Sequence, residues 1–143
     1  MEDGSAEAQQ SLEFLQQQLP EIRKRVDAAQ AKLNAYQMKQ GSVDVTKETD
    51  LVLQQAVDLE TSRMQLVQQR QQALQRFTPE HPAIKAIDSQ IAGIEHEEDA
   101  LKKRSSALPE TQQEVLSLMR DLEVNTQIYT TLRAQPQVAI NLD

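Results

Sequence analysis

Apolar residues in the first third of the chain fall at Leu12, Leu15, Leu19, Ile22, Val26, Ala29, Leu33 and Tyr36. The steps alternate three and four without a miss, the signature of a helix with one dry stripe along a coiled-coil seam. Between them stand Gln, Lys, Arg, Glu and Asp. Pro20 interrupts the run without shifting its phase, so a kink near Gln16 is favoured over a division of the helix. Gly41 then offers the left-handed conformation that ends helices. Val43-Asp44-Val45 reads as briefly extended. Asp44 or Thr46 can cap a second helix, with Glu48 and Asp50 suiting the positive end of its dipole.

The same spacing resumes with Leu53, Val57, Met64, Val67 and Leu74, with Glu60 and Gln71 as polar interruptions. Leu59, Leu66, Ala73 and Phe77 broaden the face. Phe77-Thr78-Pro79-Glu80-His81-Pro82 is a break, because the residue before each proline is pushed out of the helical region. Pro82 suits the first turn of the next helix, and so short a connection makes its neighbours antiparallel. A third seam runs through Ile84, Ile87, Ile91, Ile94, Leu101 and Leu108, with Glu98 and Ser105 at polar heptad sites. Gly93 adjoins it, as a point of close helix approach or as a tolerated glycine costing about 1 kcal/mol. After Ser105-Ser106-Ala107-Leu108-Pro109 a fourth helix carries Val115, Leu118, Met119, Leu122, Ile128, Tyr129 and Leu132.

The expected fold is all-α: elongated antiparallel coiled-coil hairpins in four helical segments, about residues 11–40, 46–76, 83–106 and 109–133. Residues 1–10 read as a flexible leader or linker and 134–143 as a frayed tail. The first and fourth helices form one pair and the second and third a hairpin with Pro79 and Pro82 at its tip. Stacked end to end, the pairs would make a thin rod of about 80 to 100 Å at 1.5 Å per residue.

Composition narrows the function. Glutamine occurs 22 times, glycine three times, cysteine and tryptophan never, and aromatic residues make up 3 %. That profile belongs to long helices rather than an ordinary globule. The net charge of −7 disfavours nucleic acid, which demands a basic face. The short basic runs Arg23-Lys24-Arg25 and Lys102-Lys103-Arg104 lie beside acids and read as solvated faces. No run approaches the roughly 18 apolar residues of a membrane span, so the chain itself is expected to make no membrane contact, as a soluble protein or the soluble part of a larger one. No Gly-x-x-x-x-Gly-Lys-Ser/Thr or Gly-x-Gly-x-x-Gly loop is present. His96 sits among consecutive acids that point in different directions on a helix. No catalytic, cofactor-binding or metal-ligating set emerges, and no enzyme is expected in this chain.

Several ordered strings are more specific than the heptads: Ser11-Leu12-Glu13-Phe14-Leu15-Gln16-Gln17-Gln18-Leu19-Pro20, Leu33-Asn34-Ala35-Tyr36, Gly41-Ser42-Val43-Asp44-Val45, Phe77-Thr78-Pro79-Glu80-His81-Pro82, Leu108-Pro109-Glu110-Thr111-Gln112-Gln113-Glu114-Val115-Leu116, Leu118-Met119-Arg120-Asp121-Leu122-Glu123-Val124-Asn125 and Ile128-Tyr129. In that order, over residues 11–133, the chain resembles the periplasmic helical region of bacterial polysaccharide co-polymerases fused to tyrosine autokinases, proteins of capsule and exopolysaccharide assembly. The resemblance implies a parent anchored in the inner membrane by two spans, with a cytoplasmic kinase domain. It implies a periplasmic location for this segment, homo-oligomeric rings, and partnership with an outer-membrane polysaccharide exporter and a polymerase. The chain departs from the family pattern in lacking a membrane span, a kinase motif, a tyrosine cluster and the Gly-Asn-Val-Arg string.

The leading expectation is therefore a non-catalytic scaffold. A transport-adaptor hairpin and a stand-alone coiled-coil protein are the alternatives, and sequence flanking the segment in its gene separates the three. Five residues are candidate interface or structural positions. Arg120 and Asp121 occupy the family's Arg-Asp position, read either as an ion pair orienting the fourth helix or as solvated charges. Pro79, His81 and Pro82 read as turn geometry or as a contact with a partner at the tip.

Overall fold

A computed structural model describes the backbone of residues 2–41 and 43–134, with side chains at 9, 12–41 and 43–134. It contains four helices: α1 (Glu2–Gln40), α2 (Lys47–Ala73), α3 (Pro82–Ser106) and α4 (Glu110–Arg133). The protein is all-α and built of helical hairpins, with no strand among the described residues. Helix α1 is continuous through Pro20 and already helical from Glu2. Beyond Ala134, the tail lies outside the described residues.

The helix ends arise from local chemistry. At the end of α1, Gly41 adopts φ 78° and its N–H donates to the Gln37 carbonyl at 2.8 Å, satisfying one of the carbonyls a helix end leaves open. Thr46 caps α2: its backbone is extended (φ −70°, ψ 160°) and its Oγ1 accepts from the Thr49 N–H at 3.2 Å. Helix α2 therefore begins one residue later, at Lys47. His81 caps α3, and Pro82 takes the first helical position, where the missing N–H removes nothing.

The chain divides into two compact units, α1 with α4 from Asp121 onward, and Val43–Arg120. In the first, Leu15, Leu19 and Ile22 of α1 form a buried cluster with Leu132 of α4, and Leu12, Ile128 and Tyr129 pack against it. Every position of the α1 seam is buried or half-buried, and most residues between seam positions are exposed. Removing an aliphatic side chain of this size from water is worth about 1.5–3 kcal/mol, which sets which face turns inward.

In the second unit, α2 and α3 form the antiparallel hairpin. Three cross-helix pairs set its register: Arg104 with Glu48 at 2.9 Å, Arg63 with Glu98 at 3.2 Å, and Arg70 with Asp88 at 2.6 Å. As α2 advances from 48 to 70, its partner in α3 recedes from 104 to 88. The buried residues are Thr49, Val52, Leu53, Val57, Ile84, Leu101, Gln112, Val115 and Leu116. Thr49, Val52 and Leu116 lie off the expected seams. Val52 and Leu116 line one open groove together with Leu101 of α3. Gly93 is exposed and a Cβ built there meets nothing within 4 Å, so it is a tolerated glycine and not a point of close approach.

Candidate functional site

Three structural features of the Val43–Arg120 unit give the hairpin its shape. At the tip, the Phe77 and His81 rings stack with centroids 4.2 Å apart. His81 Nδ1 accepts from the Ala83 N–H at 3.0 Å, and the His81 N–H donates to the Thr78 carbonyl at 3.0 Å. The imidazole is thus a helix cap held against an aromatic ring. Pro79, His81 and Pro82 are all exposed, so the turn presents Phe77, two prolines and an imidazole edge to solvent.

Midway along the hairpin lies a charged layer. Arg63 pairs with Glu60 one turn before it on α2 and with Glu98 across on α3. Glu60 and Glu98 are the polar interruptions of their seams, so the layer sits where apolar residues would otherwise mesh. Burial raises the Glu98 carboxyl above its ordinary value, and a hydrogen bond shared with Glu60 pushes the same way, against the attraction of Arg63. Burial pushes Glu60 up as well. For Glu60 the hydrogen bonds with Glu98 and Arg63, and the charges of Arg63 and Arg120, outweigh it and leave the carboxyl below its ordinary value. Arg120 of α4 therefore acts on α2 through Glu60. It also lines an open groove of about 400 Å³ with Val52, Ala56, Leu101, Lys102 and Leu116.

At the open end, two adjacent glutamines clamp two different connections. Gln112 Nε2 donates to the Asp44 carbonyl at 2.9 Å, and its Oε1 accepts from the Thr46 N–H at 3.1 Å. A buried side-chain amide thus stands in for a neighbouring strand and satisfies the first carbonyl and the last N–H of the extended Asp44–Thr46 segment. Gln113 Nε2 donates to the Ser106 carbonyl at 3.1 Å and to the Leu108 carbonyl at 2.6 Å, fixing the turn from α3 into α4. The Gln112-Gln113 pair inside the Pro109–Val115 string has this physical role, and neither residue stood among the sequence candidates. Asp121 is exposed, and its carbonyl accepts from Asn125 Nδ2 at 2.7 Å.

In the other unit, Tyr129 draws two arginines together. Arg133 Nη1 donates to its phenolic oxygen at 3.2 Å, Arg23 Nη1 lies at 3.5 Å, and the Arg23 guanidinium also sits over the ring, 5.7 Å from its centroid. Hydrogen bonds from Arg23 and then Arg133 hold the Tyr129 hydroxyl below its ordinary value, against burial. No group of three or more His, Cys, Asp or Glu residues able to hold a metal occurs among the described residues. No described helix is long and apolar enough to cross a membrane.

Comparison with known proteins connects these features to a family. The G-rich domain found on putative tyrosine kinases matches residues 110–141, although that stretch contains no glycine here. The chain is 40 % identical over 132 residues to the tyrosine-protein kinase ptk of Acinetobacter johnsonii, covering 92 % of the chain and 18 % of that protein. It is 40 % identical over 133 residues to the tyrosine-protein kinase etk of Escherichia coli K12, covering 93 % of the chain and 18 % of the relative. For the tyrosine-protein kinase wzc of Salmonella typhi the identity is 38 % over 133 residues, with the same coverage. The chain thus spans about a fifth of the length of these relatives, and the similarity runs through the whole helical part, hairpin and clamps included. On these grounds the chain belongs to the bacterial tyrosine-protein kinase and polysaccharide co-polymerase family, and corresponds to a helical segment of such a protein.

Proposed function

We propose that this segment is a non-catalytic scaffold on the periplasmic side of an inner-membrane polysaccharide co-polymerase of the tyrosine-kinase type. In this role it spaces and positions the assembly machinery for capsule or exopolysaccharide, while phosphoryl transfer belongs to another part of the parent protein. The observation that carries the proposal is identity of about 40 % maintained across the helical segment to proteins of which it is only 18 %. One relative, from Klebsiella pneumoniae, is named for its place in a cps region. The residues that shape the segment are turn, cap and register residues, as a spacer requires. Self-association of the parent, and contacts with an outer-membrane exporter and a polymerase, complete the proposal.

Two changes in the encoding gene test it. One replaces the hairpin Lys47–Ser106 with a short glycine-serine linker. The other is the milder Ile84→Ala, which removes a fully buried side chain at a cost of about 2–4 kcal/mol. The proposal predicts altered amount or chain length of surface polysaccharide in both strains, with tyrosine autophosphorylation of the purified parent retained. Unaltered polysaccharide in the hairpin-replacement strain, or autophosphorylation lost in both proteins, contradicts it.

A further inference from the structure

The cluster of Arg23, Tyr129 and Arg133 plays no part in shaping the hairpin. Two guanidinium groups converge on one uncharged oxygen, an arrangement that mutual repulsion opposes unless something offsets it. Asp27 offers a partial offset at 3.6 Å from Arg23 Nε, with both side chains more than half exposed. Arg133 has no ion pair among the described residues. On α4, the ten residues from Val124 to Arg133 include no acid. A chain of net charge −7 thus carries a local positive spot where α1 and α4 meet. Each guanidinium has five N–H groups and directs one at the phenol, so most of its donors stay available. The Tyr129 oxygen accepts from the arginines, and its own hydrogen finds no acceptor among the described residues.

We propose that Arg23, Tyr129 and Arg133 form a binding site for a single carboxylate carried on a sugar, such as a uronic acid unit of an acidic polysaccharide. The charge balance selects the ligand class. The formal charges of Arg23, Arg133 and Asp27 sum to +1, which matches a monoanion rather than a phosphate of nearly two charges. The end of α4 also presents its negative pole there, a further bias against the more highly charged ion. A planar guanidinium suits bidentate capture of a carboxylate. One exposed site binds weakly, but a polymer repeating the same group gains from effective concentration across copies of the segment. This inference rests on the polysaccharide role proposed above.

Titration of the full chain at low ionic strength with trigalacturonate, maltotriose and inorganic phosphate, followed by NMR, tests the site. Trigalacturonate is expected to bind in roughly the millimolar range and to shift the Tyr129 ring resonances, whereas neutral maltotriose leaves them unmoved. Arg23→Gln and Arg133→Gln should each weaken binding by about tenfold, the loss of one charge-assisted contact. The control Lys102→Gln/Lys103→Gln should bind as the parent chain does. Trigalacturonate affinity unchanged in the arginine variants, or equalled by maltotriose, overturns the proposal. Inorganic phosphate binding more tightly than trigalacturonate overturns the sugar carboxylate as the ligand. Such a failure, with the hairpin variants still altering surface polysaccharide, removes this site and leaves the scaffold role standing.

Discussion

Gly41 and Gly93 have opposite roles at the helices they touch. Gly41 sits at φ 78°, where a Cβ is strained, so Gly41→Ala should destabilise the protein by about 1 kcal/mol. Gly93 lies inside α3 with open space where a Cβ would go, so Gly93→Ala should stabilise it by about 0.5–1 kcal/mol. Urea denaturation of both variants gives the two signs directly. Gln112 is the stronger case. It is buried and satisfies the Asp44 carbonyl and the Thr46 N–H. Gln112→Ala strands both groups and should cost about 2 kcal/mol, against near zero for an exposed glutamine such as Gln54. A loss below about 0.5 kcal/mol would mean that water or a shifted backbone replaces the clamp. The role of Gln112 was not legible in the residue alone. The partners of Gln112 lie 66 and 68 positions away, so a glutamine in a glutamine-rich chain carries no mark of its role until the fold brings them together.

At the scale of the helices, the alternation of three and four steps located the dry faces, because burial of a stripe depends only on helical period. It did not foresee Val52, Thr49 and Leu116, which are buried off the expected seams. It marked Glu60 and Glu98 as polar interruptions without pairing them, since pairing needs the register that the turn at Pro79–Pro82 sets. Their opposed shifts make a pH prediction. Glu98, raised above its ordinary 4.5 by burial and by Glu60, costs the folded state stability in its ionised form. That cost disappears as pH falls through its raised pKa. Glu60, lowered from the same value, contributes stability at neutral pH that is lost as pH falls through its depressed pKa. Glu98→Gln should therefore raise the melting temperature at pH 7, and the gain should shrink as pH falls through the raised Glu98 range. A gain that persists undiminished to the lowest pH would show that Glu98 is not the group titrating.

For the whole molecule, the four-helix plan and the family were legible in the order of its breaks: Gly41, the Pro79–Pro82 turn and the Pro109–Val115 string. Each of those breaks performs a task that few residues can, a left-handed end, a capped proline turn and a double clamp. The chemistry of the Tyr129 cluster was not legible, since Arg23 and Tyr129 stand 106 positions apart and neither the Arg23-Lys24-Arg25 run nor the Ile128-Tyr129 string says that the two meet. The central claim is that this segment faces the periplasm as a scaffold of a larger membrane protein. It is tested most directly by a single thiol. The chain has no cysteine, and Met38 on α1 is 88 % exposed, so Met38→Cys in the parent protein provides a unique reporter within the segment. In cells with a permeabilised outer membrane and an intact inner membrane, a membrane-impermeant maleimide should label Cys-substituted parent and not the unsubstituted protein. Labelling that appears only after the inner membrane is broken would place the segment in the cytoplasm and contradict the account.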